Sequence, residues 1–449
     1  MYDNIILLRK AEVKGVLDEY DHSFTIDPNY NYVILYGPNG IGKTKFLEIV
    51  YSLSKCDVRA LSRQPFSSAM MEYSDNSRLE VTRKEKQQRR HDDHDYSLYS
   101  LSFSLIRKNG KLVKWEYEDD GFEDALQRRG IWERINDSLW RDMRDDEIVE
   151  IEELRSRYRH QSKKETYSKQ PKELADFISK VPSFLIETQR LRVEQSQVRP
   201  HRPRYDSEMS YRHPTSRIIE QSIEIKKKID DAQTEHSKIT QQLDRTFPKR
   251  VLDKGPANDE IDENQIRDRY DKQNDFRSRL GRIASVDLAR ELSLPEGEID
   301  PWPKKLLNLY LDDAEKKLIP FKELLLKIDL LEDVINRRLL NKKLSVTGAH
   351  GLEVVNSRTS KPIELSSLSS GEQHEIILMI DLLFSVPKGG LVLIDEPEIS
   401  LHVAWQLAFI PDVRKIADQG GFCFVVATHS PQIINGDWER AKSLGSSEG

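Results

Sequence analysis

Only two cysteines, Cys56 and Cys423, stand in a chain of 449 residues. They lie far apart and in no spacing that metal ligation uses, so neither a disulfide framework nor a zinc site is expected. This is the usage of a reducing, intracellular (cytoplasmic) setting. The chain also lacks any apolar run of about 18 residues, the length a membrane-crossing helix needs. Its start, MYDNIILLRK, has no basic region before the short apolar run and no cleavage signal. A basic excess is missing too: the net charge is −6 and the isoelectric point is near 6.1. Broad, sequence-independent nucleic-acid binding usually rests on such an excess. These absences argue against a complete transporter, a secreted disulfide scaffold and a general nucleic-acid coat.

What is abundant is charge: 33% of residues are Asp, Glu, Lys or Arg, and the mean hydropathy is −0.66. The length allows two or three units, and the polarity suits a globular head carrying a long solvated helical part. The apolar runs Ile5–Leu8 and Tyr32–Tyr36 predict strands, and Lys45–Leu53 a helix. Val113–Tyr117 and Val181–Ile186 read as further strands, and Arg83–Tyr96 as an exposed charged loop. Pro200, Pro203 and Pro214 mark a linker over 195–215. From Ser216 the period changes: Ile218, Ser222, Ile225, Ile229, Ala232, His236, Ile239 and Leu243 alternate steps of four and three. That is a heptad seam, or else one amphipathic helix packed on a core. A break is expected at Pro248, Gly255 and Pro256, with more helix to about Asn341. A hairpin is expected over Leu344–Val346 and Leu352–Val355, then a helix from Gly371 and strands at Leu391–Ile394 and Phe422–Ala427. The expected domains are a head in two parts, 1–195 and 342–443, a helical insertion with its linker at 196–341, and a tail at 444–449 to which no structural weight is given.

Four motifs carry chemistry. Gly37-Pro38-Asn39-Gly40-Ile41-Gly42-Lys43-Thr44 is a phosphate loop between a strand and a helix. Its glycines let backbone N–H groups converge on phosphates at a helix N-terminus. Lys43 would reach the β and γ phosphates, and the Thr44 hydroxyl would ligate Mg2+. Leu391-Val392-Leu393-Ile394-Asp395-Glu396 is a buried strand with carboxylates at its C-terminal end, where α/β sheets bind ligands. Asp395 would hold Mg2+, and Glu396 would accept a proton from an attacking water; taken alone, the pair is equally a solvated strand end. Leu368-Ser369-Ser370-Gly371-Glu372-Gln373 opens a helix, and in isolation is equally an N-capped helix. Ala427-Thr428-His429-Ser430 follows the last apolar strand.

With these motifs in this order, the chain resembles the ABC ATPase superfamily over its two flanking segments. Ser370 stands where that superfamily's LSGGQ signature has its first glycine. The resemblance implies an α/β P-loop head, a mixed sheet flanked by helices, with an inserted helical hairpin or short coiled coil. It implies ATP and Mg2+ as cofactors. It also implies a head-to-tail dimer in which Ser369, Ser370 and Gly371 of one copy cap the γ-phosphate held by the phosphate loop of the other. His429 would contact that phosphate and orient the water with Glu396. Gln189, just after the strand at 181–186, would sense Mg2+ and water. Glu398-Ile399-Ser400-Leu401-His402 would be the dimer-contact loop.

Within the superfamily, the stretches Asp395–His402 and Leu368–Glu375 look most like the ATPases of bacterial anti-phage systems. These include the overcoming-lysogeny nucleases, the Septu ATPase and the AriA-type ATPases of PARIS systems. Overcoming-lysogeny enzymes carry a C-terminal Toprim nuclease, whereas 20 residues follow His429 here, too few for a domain. The AriA type is therefore the better likeness. It implies a homo-oligomeric scaffold that holds a separate Toprim effector nuclease and releases it on sensing a phage protein. The alternative is a RecF-like DNA-repair ATPase that binds DNA, against which the acidic balance counts. The cluster His91–Asp95 reads as a solvated charged loop rather than a metal site. The basic stretch Arg199–Arg217 reads as a linker rather than a nucleic-acid contact.

Overall fold

Apolar residues spaced two and three apart in a polar stretch make the first strand. In the computed structural model the described residues are 5–86, 98–118, 122–128, 130–135, 139–158, 170–187, 217–253, 262–284, 294, 297 and 299–445. Strand β1 (Leu8–Val16) buries Leu8, Ala11, Val13 and Val16. The expected strand at Ile5–Leu8 thus begins only at its last residue and runs on through a mostly polar sequence whose every second or third side chain turns inward. Next come β2 (Tyr20–Thr25), β3 (Tyr32–Tyr36), α1 (Lys43–Lys55) and α2 (Val58–Arg63). The strands β4 (Ser68–Tyr73), β5 (Arg78–Lys86), β6 (Leu98–Ile106) and β7 (Leu112–Glu118) follow. They complete an antiparallel sheet ordered β2-β1-β4-β5-β6-β7.

The charged loop expected at Arg83–Tyr96 is corrected over its first residues, because Arg83–Lys86 belong to β5 and pair with β6. Leu79 and Val81 keep the inward alternation, and the Arg83 guanidinium stacks 3.5 Å over the Tyr99 ring. The rest of that stretch, with His91–Asp95, lies outside the described residues. A small subdomain comes next: α3 (Phe122–Arg128), β8 (Trp132–Arg134), β9 (Leu139–Asp142), β10 (Ile148–Glu150) and α4 (Ile151–Arg157). Trp132, Trp140, Val149 and Leu154 give it a core of its own. Helix α5 (Lys172–Ile178) and strand β11 (Ser183–Glu187) close this stretch.

The chain forms two compact units: Met1–Glu208 with Ser385–Gly449, and Met209–Phe384. The second unit holds α6 (Arg217–Asp253), α7 (Glu263–Leu280), α8 (Pro301–Asn336), β12 (Lys342–Thr347), β13 (Gly351–Asn356), β14 (Pro362–Ile363) and α9 (Ser370–Ile380). The stripe on α6 is buried at Ile218, Ser222, Ile225, Ile229 and Ala232. His236 Nδ1 lies 2.7 Å from Lys317 O on α8. Of the break expected at Pro248, Gly255 and Pro256, the Pro248 part is corrected, since α6 runs through it to Asp253 before α7 starts at Glu263, while Gly255 and Pro256 lie outside the described residues. A proline removes one helical donor; here Arg250 Nη2 donates to Leu243 O at 2.9 Å and to Asp313 Oδ2 on α8 at 2.7 Å, bracing that turn. The hairpin expected near Leu344–Val355 is β12 with β13, antiparallel.

The first unit resumes with β15 (Leu391–Asp395), α10 (Val403–Gly420), β16 (Cys423–Thr428), α11 (Pro431–Ile434) and β17 (Ala441–Ser443). A parallel sheet runs β11-β15-β16-β3-β17. Its central strands are apolar on both faces, as parallel strands covered on both sides require. Leu391, Leu393, Val425 and Ala427 meet Phe46, Leu47 and Val50 of α1 in one core, which continues to Val13, Phe24 and Met71 of the antiparallel sheet. Leu444, to which the sequence reading gives no weight, is 3% exposed, and its N–H donates to Tyr36 O at 2.8 Å. The fold is therefore α/β, a P-loop head whose parallel sheet is flanked by helices, with a largely helical second unit. Among the described residues no helix is long and apolar enough to cross a membrane.

Both cysteines lie in that core. Burial pushes the Cys56 thiol up to about 12 and the Cys423 thiol up to about 11, so neither forms thiolate at neutral pH. Iodoacetamide is expected to label both only after denaturation, as read by mass spectrometry over an hour. Labelling of either within minutes in native buffer would show that the core does not close as described.

Candidate nucleotide site

The site is built at the C-terminal edge of the parallel sheet. Strand β3 ends at Tyr36 and the chain turns at once through Gly37–Thr44 into α1. Gly40 and Gly42 take φ of 90° and 85°, a left-handed conformation that side chains disfavour. A Cβ at Gly37 would meet Ile41 Cδ1 at 2.5 Å and Leu444 O at 2.9 Å, so the loop leaves no room for one there. Lys43 is 5% exposed, and its ammonium donates to Gly37 O at 2.9 Å and Pro38 O at 3.0 Å. The loop thus folds around its own cation.

Strand β15 delivers Asp395 to the same edge. Thr44 Oγ1 donates to Asp395 Oδ2 at 2.8 Å, joining the phosphate loop to the acidic strand end. Burial pushes the Asp395 carboxyl up to about 6. The Thr44 hydrogen bond opposes this, the charges of Glu396 and Glu48 add to it, and Lys43 opposes it. Glu396, the next residue, sits at φ 44°, ψ 57°, a left-handed conformation costing roughly 1–2 kcal/mol in a residue with a side chain. Its N–H is fixed to Ala427 O at 2.8 Å. Strain of this kind gathers at working sites, and here it turns the carboxylate toward the end of β16. There His429 Nδ1 lies 3.6 Å from Glu396 Oε1 and 3.2 Å from Glu398 Oε1.

Lys43, Thr44, Asp395, Glu396 and His429, far apart in sequence, therefore share one sheet edge. The family described as "AAA domain, putative AbiEii toxin, Type IV TA system" matches residues 33–435. The chain belongs to this family. No curated protein matches the sequence.

Among solved structures, this AAA-domain chain is similar to three Smc heads. One is an Smc head domain with an extended coiled coil, bound to the C-terminal domain of ScpA, from Pyrococcus furiosus; it shares 13% identity over 96% of this chain and 91% of that one, at a TM-score of 0.34. The SMC head domain from Thermotoga maritima shares 10% identity over 97% and 92%, at 0.31. The Smc head domain with a coiled coil and joint from Pyrococcus yayanosii shares 12% over 99% and 96%, at 0.33.

The stretch Leu368–Gln373, which the resemblance implies is a signature, lies in the second unit of this family member. Ser369 N-caps α9, and its Oγ accepts from Glu372 N at 3.3 Å while Glu372 Oε2 accepts from Ser369 N at 2.9 Å, a reciprocal capping box. Ser370 and Gly371 form the first turn. Lys342 Nζ on β12 donates to both Glu372 oxygens at 2.8 Å. Burial alone would raise the Glu372 carboxyl, but Lys342 and the Ser369 bonds outweigh it and hold it below its ordinary range. These contacts make Ser369 the cap of α9, with Ser370 exposed and Gly371 half-buried at its start.

Strand β11 ends at Glu187, in register with Asp395. The chain therefore leaves the sheet at the site's edge two residues before Gln189, which itself lies outside the described residues. The sequence reading missed the work of Glu398 and Gln406, because a carboxylate in a loop and an amide on a helix carry no signal of their partners. The residues at the edge fit a magnesium nucleotide. Thr44 and Asp395 offer adjacent hard oxygens, and Mg2+ usually takes one or two carboxylates and completes its shell with phosphate and water. The loop offers an ammonium, glycine-borne N–H groups and, at Gly40, open space for 4 Å around a Cβ position.

Proposed function

We propose that this chain binds and hydrolyses ATP with Mg2+. The observation that carries the reading is the Thr44–Asp395 hydrogen bond at a sheet edge that also presents Lys43, Glu396 and His429. Lys43 binds the β and γ phosphates, exchanging two backbone carbonyls for phosphate oxygens. Thr44 and Asp395 hold Mg2+, which when bound offsets phosphate charge. Glu396 takes the proton of the attacking water as its oxygen bonds to the γ-phosphorus, and the bond to the β–γ bridging oxygen breaks toward ADP. His429 donates to the γ-phosphate and steadies that water, and Gln189 senses Mg2+ and the water. Ser369, Ser370 and Gly371 of a second copy cap the γ-phosphate from outside, so the working unit is a head-to-tail dimer.

We further infer a role as the sensor and scaffold of an anti-phage complex, of the AriA type found in PARIS systems. In it the ATPase holds a separate Toprim-type nuclease and releases it when a phage protein arrives. Membership of a family that includes a putative toxin of a type IV toxin–antitoxin system supports a defence-related role, as do the motif stretches at 368–375 and 395–402. The test is a pull-down of the Glu396→Gln protein from its host, with partners identified and the assembly weighed by native mass spectrometry. A stoichiometric nuclease on a higher oligomer is expected. A DNA-bound dimer with no nuclease would instead make the chain a RecF-like repair ATPase.

A further inference from the structure

Glu398 lies in the loop that the sequence reading assigns to contacts between copies, yet its carboxylate points inward. It is 8% exposed. Its Oε1 accepts from Thr428 Oγ1 at 2.7 Å and from the His429 backbone N–H at 2.8 Å. The same oxygen stands 3.2 Å from His429 Nδ1, closer than Glu396 does at 3.6 Å. A carboxylate is kept out of water only where donors replace its hydration, and the donors that Glu398 meets come from the turn bearing His429. A second tie lies beside the first. Gln406 on α10 donates from Nε2 to Glu398 O at 3.3 Å and Leu401 O at 2.9 Å, and its Oε1 accepts from Ser430 Oγ at 3.0 Å. The loop after the Asp395–Glu396 pair is therefore fastened to the Thr428–Ser430 turn on both sides of His429.

We propose that Glu398 is a positioning residue for His429. It fixes the backbone of the turn and the place of the ring beside Glu396, and Gln406 holds the same two segments together from α10. The loop and the turn then move as one piece, so His429 keeps its distance from Glu396 through the catalytic cycle. This rests on the proposed hydrolysis only for its kinetic consequence; the fastening itself is a property of the folded chain.

A double-mutant cycle tests it. Glu398→Ala should lower kcat for ATP by about 10- to 100-fold, as a misplacement of about an ångström does, with KM changed less than about threefold. In a His429→Ala background the same change should cost less than about threefold, because residues that act through one another are not additive. Glu398→Gln keeps an acceptor for Thr428 and the His429 amide, and should recover kcat to within about fivefold of the parent. Without nucleotide, amide exchange at His429 should quicken at least about tenfold in Glu398→Ala and little in Glu398→Gln. Full cost in the His429→Ala background would overturn the proposal. So would a joint fall of kcat, KM and melting temperature in both Glu398 variants, the mark of a merely structural role. A parent protein without ATP turnover would sink the hydrolysis reading instead; the exchange rate at His429 would then still decide whether Glu398 holds the turn.

Discussion

Replacing Glu396 by glutamine is expected to slow ATP turnover by about 10²- to 10⁴-fold, the range a positioned general base contributes, while ATP binding survives. Two carboxylates stand at this edge, and their surroundings assign them different tasks. Asp395 is engaged: its Oδ2 already accepts from Thr44, and burial raises its carboxyl to about 6. Its best use is as a hard oxygen for a cation. The Glu396 side chain is 24% exposed and faces the His429 ring, where a water can reach both. Glutamine keeps the shape and suffers the same backbone strain at φ 44°, so the fold should be unchanged. It cannot take a proton, so the bound nucleotide should persist and hold two copies together. Steady-state phosphate release and light scattering with ATP would read both effects. Wild-type turnover in this variant would remove Glu396 from the role of base, and slow turnover without a stable dimer would remove the capping by a second copy.

The site was legible where its chemistry is local. The phosphate loop is one run of eight residues, and the apolar strand before Asp395 announces its own burial. The order of motifs along the chain placed His429 with them, although the register that does so, Asp395 opposite Ala427, is a property of the sheet alone. What stayed hidden depends on partners distant in sequence. Glu398 reads as a surface loop residue until Thr428 and His429 fold onto it. Leu444 looks like a tail until β17 pairs with β3 and its amide meets Tyr36. The β1–β7 sheet carries Ser, Lys and Glu on its outer face, so its strands lack the continuous apolar runs that betray the parallel sheet. Pro248 misled for the opposite reason: a local rule gave way to tertiary bracing by Arg250 and Asp313.

Lys43→Met is expected to weaken ATP binding by at least about 10²-fold, since its two charge-assisted hydrogen bonds, to the β and γ phosphates, each contribute about 1.5–3 kcal/mol and tenfold in affinity is about 1.4 kcal/mol. Isothermal titration at fixed Mg2+ would measure it. The free protein should change little. Methionine matches the apolar stem, and although Gly37 O and Pro38 O lose a donor, a buried ammonium is lost with it. A shift of the melting midpoint within a few degrees is therefore expected. Binding lost with the fold intact locates the defect at the phosphates; an unchanged Kd would mean that nucleotide does not sit in this loop. Arginine should not substitute. Its guanidinium is a rigid planar fork, whereas the two carbonyls 2.9 and 3.0 Å from the Lys43 nitrogen converge on a single compact donor. Lys43→Arg should thus bind ATP as poorly as Lys43→Met, even though it keeps the charge, because what the loop selects is an ammonium of that size at that depth.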